Sequence, residues 1–347
     1  MAPAHHNFNP WLNRFAWITA ALTLFLICSG GMVTSKGVGL AVPDWPTTFG
    51  YNMFLFPVSR WVGGIFFEHT HRLIASMVGF LTIVLAIWLW RAESRKWLRV
   101  LGWAGLGTVV SQGVLGGLRV TMLKDEIGIF HALLAQAFLC LLVLIALATS
   151  RFWNDANRRQ IGLPFISLPL VTTVLIYAQL GLGATMRHQH RDLAILDFPA
   201  AYGKVVPDVS VENLATINRW REAHALSEVT AGHVWLQMAH RFMAVLIAAG
   251  VIAYWIKTRQ RPEGANGMLR NLSAFWLFFL ACQITLGAWT IWSNKAADIA
   301  TAHVGVGASM LALGVSICAI AMHLRRREQR LAPATGQLRA QEEAHAL

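Results

Sequence analysis

Charged residues are scarce in this chain of 347 residues. Asp, Glu, Lys and Arg make up 13% of the sequence, whereas hydrophobic residues make up 56%. Apolar runs of about 20 residues recur along the whole length, which is the length that a helix needs to cross a bilayer. This composition excludes a soluble globular protein, and the absence of short alternating segments excludes a transmembrane β-barrel. The sequence therefore predicts an all-α polytopic membrane protein.

Cysteine is also scarce, and none lies where a disulfide framework or a zinc site would need it. The two long connections between predicted helices, residues 35–69 and 186–233, contain no cysteine. All the cysteines fall inside apolar runs, where packed thiols are the usual finding. The four are Cys28, Cys140, Cys282 and Cys318. The first apolar run is long enough to remain in the membrane, so we do not expect a cleaved signal peptide.

Eight apolar runs are long enough to be membrane spans. Basic residues concentrate after the even-numbered spans. We therefore interpret the formal net charge of +12 as a signal of membrane topology and not of nucleic-acid binding. The positive-inside rule then places both termini in the cytoplasm and both long connections outside. The predicted spans are residues 15–34, 70–90, 97–118, 128–149, 163–185, 234–256, 271–292 and 300–323. The basic residues that set the orientation include Arg95, Lys96, Arg151, Arg158, Arg159, Lys257, Arg261 and Arg325.

The chain also repeats itself, with a period of about 170 residues. The motif Gln-x-x-Leu-Gly-Gly/Ala begins at Gln112, Gln179 and Gln283, and a degenerate copy ends in Gly30-Gly31. An Asp-Trp-Pro segment that begins at Asp44 is matched by Asp-Phe-Pro in the second long connection. Each half has four spans and therefore the same orientation. Duplicated four-helix bundles are the simplest architecture for this pattern.

Four histidines lie near the outer ends of the even-numbered spans: His71, His131, His240 and His303. A lone histidine in a membrane helix is more often a packing group or part of a proton relay. Four at repeated positions and equal depth need a common explanation. Two imidazoles that face each other across a four-helix bundle can provide both axial ligands of a haem iron. The sequence therefore predicts one histidine pair, and one haem site, in each half.

Charged neighbours distinguish the two pairs. Arg72 and Arg241 each follow the first histidine of a pair, where they could bind haem propionates or mark the membrane interface by snorkelling. Glu68 stands three residues before His71, whereas Gln237 stands at the matching place in the second half. This asymmetry predicts that chemistry occurs in the first half, with Glu68 moving a proton or stabilising positive charge. The alternative is a structural hydrogen bond to a neighbouring helix.

Two segments outside the predicted spans have patterns of their own. Apolar residues at three-residue intervals from Val211 to Trp220 predict an amphipathic helix, either on the outer membrane surface or in solvent. The tail from residue 325 is charged and rich in Ala and Gln, so we expect it to be disordered or loosely helical.

The motifs taken together resemble the haem A synthase family. The resemblance rests on Glu68-x-x-His71-Arg72, the His131 helix, His240-Arg241, Ala302-His303-Val304-Gly305, the glutamine-glycine repeats, and the segment at 39–46. It extends over residues 15–323. It implies two pseudo-symmetric four-helix bundles. It also implies an activity, the oxidation of the C8 methyl group of haem O to a formyl group, which gives haem A for terminal oxidases.

The resemblance also implies roles for the site residues. The pair His240 and His303 would hold a permanent haem b, and the pair His71 and His131 would bind the substrate, haem O, and the product, haem A. Glu68 would be required for activity. Many family members carry a cysteine pair in the first long outer loop, and this chain has none there, so a role for loop thiols is excluded.

The predicted organisation follows from the bundles. Residues 1–14 form a cytoplasmic arm, 15–150 the bundle for substrate haem, and 151–162 a cytoplasmic linker. Residues 163–324 form the bundle for haem b, with the outer loop 186–233, and 325–347 form the tail.

We expect an integral protein of the cell (inner) membrane with no nucleic-acid partner. Haem O synthase is the hypothetical physical partner, together with an electron-transfer partner of unknown identity; a homo-oligomer is left open. Two other functions compete. The first is a dihaem membrane cytochrome b that only carries electrons, and the second is a transporter built from parallel repeats.

Overall fold

The structure is a computed structural model that describes residues 8–154, 165–189, 193–260 and 267–345, and the regular elements in these residues are helices. Two short 3-10 helices, Met53–Leu55 and Val58–Arg60, lie in the first outer loop. The α-helices are α1 (Pro10–Ser35), α2 (Gly63–Ala92), α3 (Lys96–Met122), α4 (Asp125–Ala148), α5 (Arg151–Asn154), α6 (Ser167–His188), α7 (Val211–Ala223), α8 (Ala231–Arg259), α9 (Gly267–Trp292) and α10 (Ala297–His345).

Eight of these helices are long and apolar enough to cross a membrane, and they confirm the predicted all-α fold and number of spans. They are α1–α4, α6, α8, α9 and the part of α10 from Ala297 to Arg326. The chain is thus a multi-pass membrane protein. Arg158, Arg159 and Arg261, which the predicted orientation uses, lie outside the described residues. The orientation itself stays a prediction.

The eight helices pack as two rings of four. In the first half α1 and α3 each contact both α2 and α4, and in the second half α6 and α9 each contact both α8 and α10. The halves meet where α4 and α10 touch each other and where α1 contacts α10 and α4 contacts α6. Accordingly α10 and α4 are the most buried spans, and α3, α8 and α9 are the least. This arrangement is compatible with the two predicted bundles, while the residue boundaries of the predicted domains stay a prediction.

Helix α2 begins at Gly63, seven residues before the predicted start of its span. The predicted span starts at residue 70, within the charged and polar segment Glu68–Arg72, but the helix includes the whole segment and begins before it. Gly64 lies in its first turn, where a Cβ would meet Val38 and Ala41 of the outer loop at 3.0 Å. Packing between loop and helix therefore extends α2 beyond its lipid-facing length, and Glu68 and His71 lie within the helix.

The two outer loops contain matching turns. In the first loop the Asp44 carboxylate accepts backbone hydrogen bonds from Phe49 and Gly50, and in the second the Asp197 carboxylate accepts them from Tyr202 and Gly203. Each turn also closes an isolated antiparallel bridge, Thr48 with Tyr51 and Ala201 with Lys204. The Asp-aromatic-Pro repeat of the sequence thus marks a turn that is built twice.

The outer-loop helix and the tail are both helical. Helix α7 confirms the predicted helix, with Val211 and Trp220 exposed and Arg221 buried against loop carbonyls. Whether this helix lies on the membrane stays a prediction. Helix α10 continues without interruption to His345, so the tail is helical in the structure through that residue.

Candidate functional site

Each of the four predicted histidines lies against a glycine of a neighbouring helix. In every case the glycine is the first of the Gly-Gly or Gly-Ala pair that ends a repeat motif. A carbon built in place of the missing side chain would come within 3.4 Å of imidazole Cε1. The pairs are Gly30 with His71 (2.9 Å), Gly116 with His131 (3.4 Å), Gly183 with His240 (3.4 Å) and Gly287 with His303 (3.1 Å). The motif thus makes room for an imidazole, a role that its sequence did not reveal.

The histidines are brought together in the predicted pairs. His71 on α2 and His131 on α4 are close enough to interact electrostatically, and so are His240 on α8 and His303 on α10. All four side chains are half-buried, but their Nδ1 atoms are fully buried and have no hydrogen-bond partner among the described residues. Buried imidazole nitrogens normally have a partner. Two imidazoles that lie close together, each with an Nδ1 atom uncommitted to protein, fit a haem iron with two histidine ligands.

The glutamine that opens each motif contacts the same histidines. The side-chain amide of Gln112 donates to the carbonyl of His131 over 3.0 Å, and that of Gln179 donates to the carbonyl of His240 over 3.0 Å. The Nε2 atom of Gln283 lies 3.4 Å from the Nε2 atom of His303. Each of the three full motifs therefore supplies a small residue beside one imidazole and an amide that ties a histidine helix to its neighbour, whereas the degenerate copy has Leu26 in place of the glutamine.

Glu68 is buried, at 4% exposure, and holds the first outer loop. Its Oε2 atom accepts a hydrogen bond from the backbone N–H of Val42 over 2.9 Å. Its Oε1 atom lies 2.7 Å from Nη2 of Arg72, one turn further along α2. The structural role considered from the sequence was a bond to a neighbouring helix, and the partner here is instead the loop above the site. The catalytic role of Glu68 stays a prediction.

Gln237 forms the matching contact in the second half. Its Oε1 atom accepts from the N–H of Ile195 over 2.9 Å, and its Nε2 atom donates to the carbonyl of the same residue over 3.0 Å. The side chain is buried, like that of Glu68. Both halves therefore fix their outer loop to the helix that carries the first histidine, but at this position only the first half does so with a carboxylate.

Arg72 and Arg241 are also committed to the loops. Arg72 donates to the carbonyls of Val42, Asp44 and Thr47 in addition to Glu68. Arg241 donates to the carbonyls at positions 197 and 200, and its guanidinium lies over a loop phenylalanine ring. These contacts give both arginines a structural task that the sequence did not show. Their proposed contact with haem propionates stays a prediction.

The first loop closes over the outer end of its bundle. The indole ring of Trp45 packs directly against Gly117, the second glycine of the motif on α3. Partial burial raises the pKa of Asp44, but hydrogen bonds from Gly50, Thr47 and Phe49 to its carboxylate outweigh burial and hold the pKa below its usual value. The ionised Asp44 thus stabilises the turn that presents Trp45.

A polar contact joins the two bundles beside the sites. The guanidinium of Arg187, on α6, donates to the carbonyl of Gly31 and to the hydroxyl of Ser35, both on α1. Gly31 also lies against Thr301 of α10, two residues before His303. Gly30 thus contacts His71 of the first half, and Gly31 contacts α10, the helix that carries His303 of the second half. The two glycines lie between the two histidine sites.

Comparison with known proteins places this site in a family. Residues 13–315 match the COX15-CtaA family, described as cytochrome oxidase assembly proteins. The chain belongs to the COX15-CtaA family. The matched region contains all four histidines, Glu68 and both outer loops, and it confirms the predicted relationship to the haem A synthases.

Several relatives in the COX15-CtaA family carry the name heme A synthase. The protein of Shouchella clausii is 28% identical over 297 residues, which cover 79% of this chain and 96% of the relative. That of Geobacillus kaustophilus is 26% identical over 319 residues, covering 84% and 86%. That of Bacillus licheniformis is 26% identical over 314 residues, covering 85% and 91%. The similarity thus extends over nearly the whole length of these relatives.

Proposed function

We propose that this chain is a haem A synthase, which oxidises the C8 methyl group of haem O to a formyl group and so makes haem A for terminal oxidases. The names of the relatives support haem A biosynthesis. The observation that carries the finer assignment is the difference between two otherwise matching sites: Glu68 in one half and Gln237 in the other. A protein that only carried electrons between two equivalent haems would not need that difference.

The two histidine pairs divide the work in this proposal. His71 and His131 hold the substrate haem O, and His240 and His303 hold a resident haem b. A haem b with two histidine ligands supplies one-electron redox chemistry when it is bound. The imidazoles orient their haems, and the glycines beside them let the rings approach without displacing the helices.

Glu68 is the residue to which we assign the chemistry. The conversion of a methyl group to a formyl group adds one oxygen atom and removes four electrons from the carbon. With water as the oxygen donor, four protons are released and the four electrons pass to the electron-transfer partner, and positive charge develops at the reacting carbon as they leave. The carboxylate of Glu68 can accept a proton or stabilise that charge, and its hydrogen bonds to Val42 and Arg72 hold it in place. The loop that Glu68 holds also packs Trp45 against Gly117 at the end of this bundle.

The proposed setting is the cell (inner) membrane, with both termini in the cytoplasm and the two sites near its outer face. Haem O is strongly hydrophobic, so transfer from a haem O synthase in contact with this chain would avoid its release into lipid. An electron-transfer partner would serve the resident haem. Co-purification from native membranes tests the first contact, and its absence would remove haem O synthase as a stable partner.

The deciding experiment is the extraction and chromatography of haems bound to the protein after co-expression with a haem O synthase. We expect haem B together with haem O and haem A. Haem B in both histidine pairs, without haem O or haem A, would instead indicate an electron-transfer cytochrome. A protein without any haem would contradict both functions and leave the transporter.

A further inference from the structure

Arg119 lies beside the first histidine pair, in the last turn of α3. It is on α3, three residues after Gly116, so both residues share the face of α3 that meets His131. Its guanidinium is close enough to interact electrostatically with both His71 and His131. The outer loop makes room for it, because a Cβ at Gly39 would lie 3.2 Å from each of its terminal nitrogens.

The hydrogen-bonding state of Arg119 separates it from the other arginines of the two sites. Terminal guanidinium nitrogens of Arg72, Arg187 and Arg241 donate to carbonyls, a hydroxyl or a carboxylate, and of Arg241 only the Nε atom is left without a partner among the described residues. The Arg119 side chain makes no hydrogen bond to any residue that the structure describes. A guanidinium has five N–H donors arranged to match a carboxylate, and in a half-buried place these normally find acceptors.

Two carboxylates lie near Arg119 without binding it. Its guanidinium interacts electrostatically with Glu68 and Asp125, but neither forms an ion pair with it within 4 Å. Glu68 is already paired with Arg72 at 2.7 Å, and Asp125 is exposed in the first turn of α4. The charge of Arg119 therefore remains available to a further anion.

The second half has no counterpart on the matching helix. Arg119 stands seven residues after Gln112, and the residue seven after Gln283 is Thr290, whose hydroxyl donates to the carbonyl of Leu286. The cation near His303 is Arg187, which comes from α6 and is bound to α1. Among the arginines beside the two histidine pairs, Arg119 is thus the one whose side chain makes no hydrogen bond to a residue that the structure describes.

We infer that Arg119 binds a propionate group of the haem substrate held by His71 and His131. The inference rests on the proposed function, because it takes the first site as the haem O site. Haem O carries two propionates, and a fork of N–H donors can bind one of them through two parallel hydrogen bonds. The resulting contact would fix the rotation of the substrate about the axis between the imidazoles. Arg119 is therefore a positioning residue for the methyl group that reacts.

Binding of haem O and of its dimethyl ester to purified protein tests the inference without use of activity. The ester keeps the ring but removes both propionate charges. We expect wild-type protein to bind the diacid about ten- to a hundred-fold more tightly than the ester, as for a lost charged hydrogen bond. In Arg119→Gln the diacid should bind more weakly and the preference should fall toward one, while Arg119→Lys should keep part of it.

Two controls accompany the titration. Arg219→Gln removes an exposed arginine of α7 whose one side-chain hydrogen bond to a described residue is to Thr216, and it should keep the wild-type preference. The spectrum of the haem held by His240 and His303 reports whether each variant is folded. If Arg119→Gln loses that spectrum, the preference for diacid over ester is measured in Arg119→Lys instead. A full wild-type preference in Arg119→Lys would contradict a two-bond contact between the guanidinium and the propionate.

Failure of the Arg119 inference and failure of the proposed function give different results. An unchanged preference for the diacid in Arg119→Gln overturns the inference, and so does an equal loss of affinity for diacid and ester. In both cases haem O uptake by wild-type protein leaves the proposed function standing. If wild-type protein takes up no haem O beside its haem b, the proposed function fails and the inference fails with it.

Discussion

The two halves of the molecule share a scaffold and differ in a few side chains at the end that carries the two long loops. Each half has an imidazole pair, a glycine beside each imidazole, and an arginine that holds the loop above. The first half has Glu68 and Arg119 where the second has Gln237 and Thr290. The imidazole pair with its glycines and loop contacts is thus built twice, whereas the buried carboxylate and the uncommitted arginine are present once.

The largest effect should come from removing an iron ligand. His240→Ala or His303→Ala should abolish the low-spin haem b spectrum of the purified protein, because one imidazole cannot supply both axial ligands. His71→Ala should leave that spectrum in place, since its site is in the other bundle. His224→Ala, in the outer loop, is the matched control. A normal haem b spectrum in His240→Ala would break the proposed division between the halves.

Exchanging Glu68 and Gln237 sharpens the comparison. Glu68→Ala should leave haem b bound and abolish product. Glu68→Gln should preserve the loop contact, as Gln237 does with Ile195, yet lower product formation about a hundred-fold or more because the charge is gone. Haem A yield, measured by extraction, is the readout.

Gln237→Glu is the reciprocal control, and we expect no product from the second half. Near-normal haem A yield in Glu68→Gln would show that the residue acts only as a contact to the loop. That result would leave the two halves without a chemical difference at this position.

Glycine substitutions should follow the measured distances. Gly30→Ala should reduce haem O and haem A content most strongly, because its Cβ would lie 2.9 Å from Cε1 of His71. Overpacking of this kind costs about 1–3 kcal/mol. Gly287→Ala, at 3.1 Å from His303, should instead lower haem b content.

Gly116→Ala, at 3.4 Å from His131, should have a smaller effect. Gly113→Ala in the same motif is the control, since no atom lies within 4 Å of its added carbon. Equal haem losses in all four variants would show that the motif serves helix packing in general and not the imidazoles.

The smallest effect concerns acid and the first outer loop. The pKa of Asp44 is lowered in the folded protein, so ionised Asp44 stabilises the loop above the usual pKa of about 3.9. That contribution should be lost as the pH falls further, through the folded-state pKa. Protection of the loop against a protease active in acid should therefore decline below about pH 4. Asp44→Asn should be less protected at neutral pH and lack this step; an identical profile would contradict the role.

Much of this protein could be predicted from local patterns. The eight spans could be predicted from the length and hydrophobicity of the apolar runs, because any helix that crosses a bilayer must be long and apolar. The repeat fixes which histidines pair, since His71 and His131 recur in register as His240 and His303. The difference between Glu68 and Gln237 is likewise visible in the sequence, as two residues at the same place in two copies of one motif.

Only the tertiary structure decided what the arginines and glycines contact. Arg72 binds carbonyls that are 25–30 residues away, and Arg119 reaches a loop glycine in a different segment. Such contacts depend on how an irregular loop folds back over a helix end, which no periodicity encodes. A long arginine side chain can reach many acceptors. The path of the loop backbone therefore determined that Arg72 binds loop carbonyls, whereas Arg119 lies beside the first histidine pair without a hydrogen bond to a described residue.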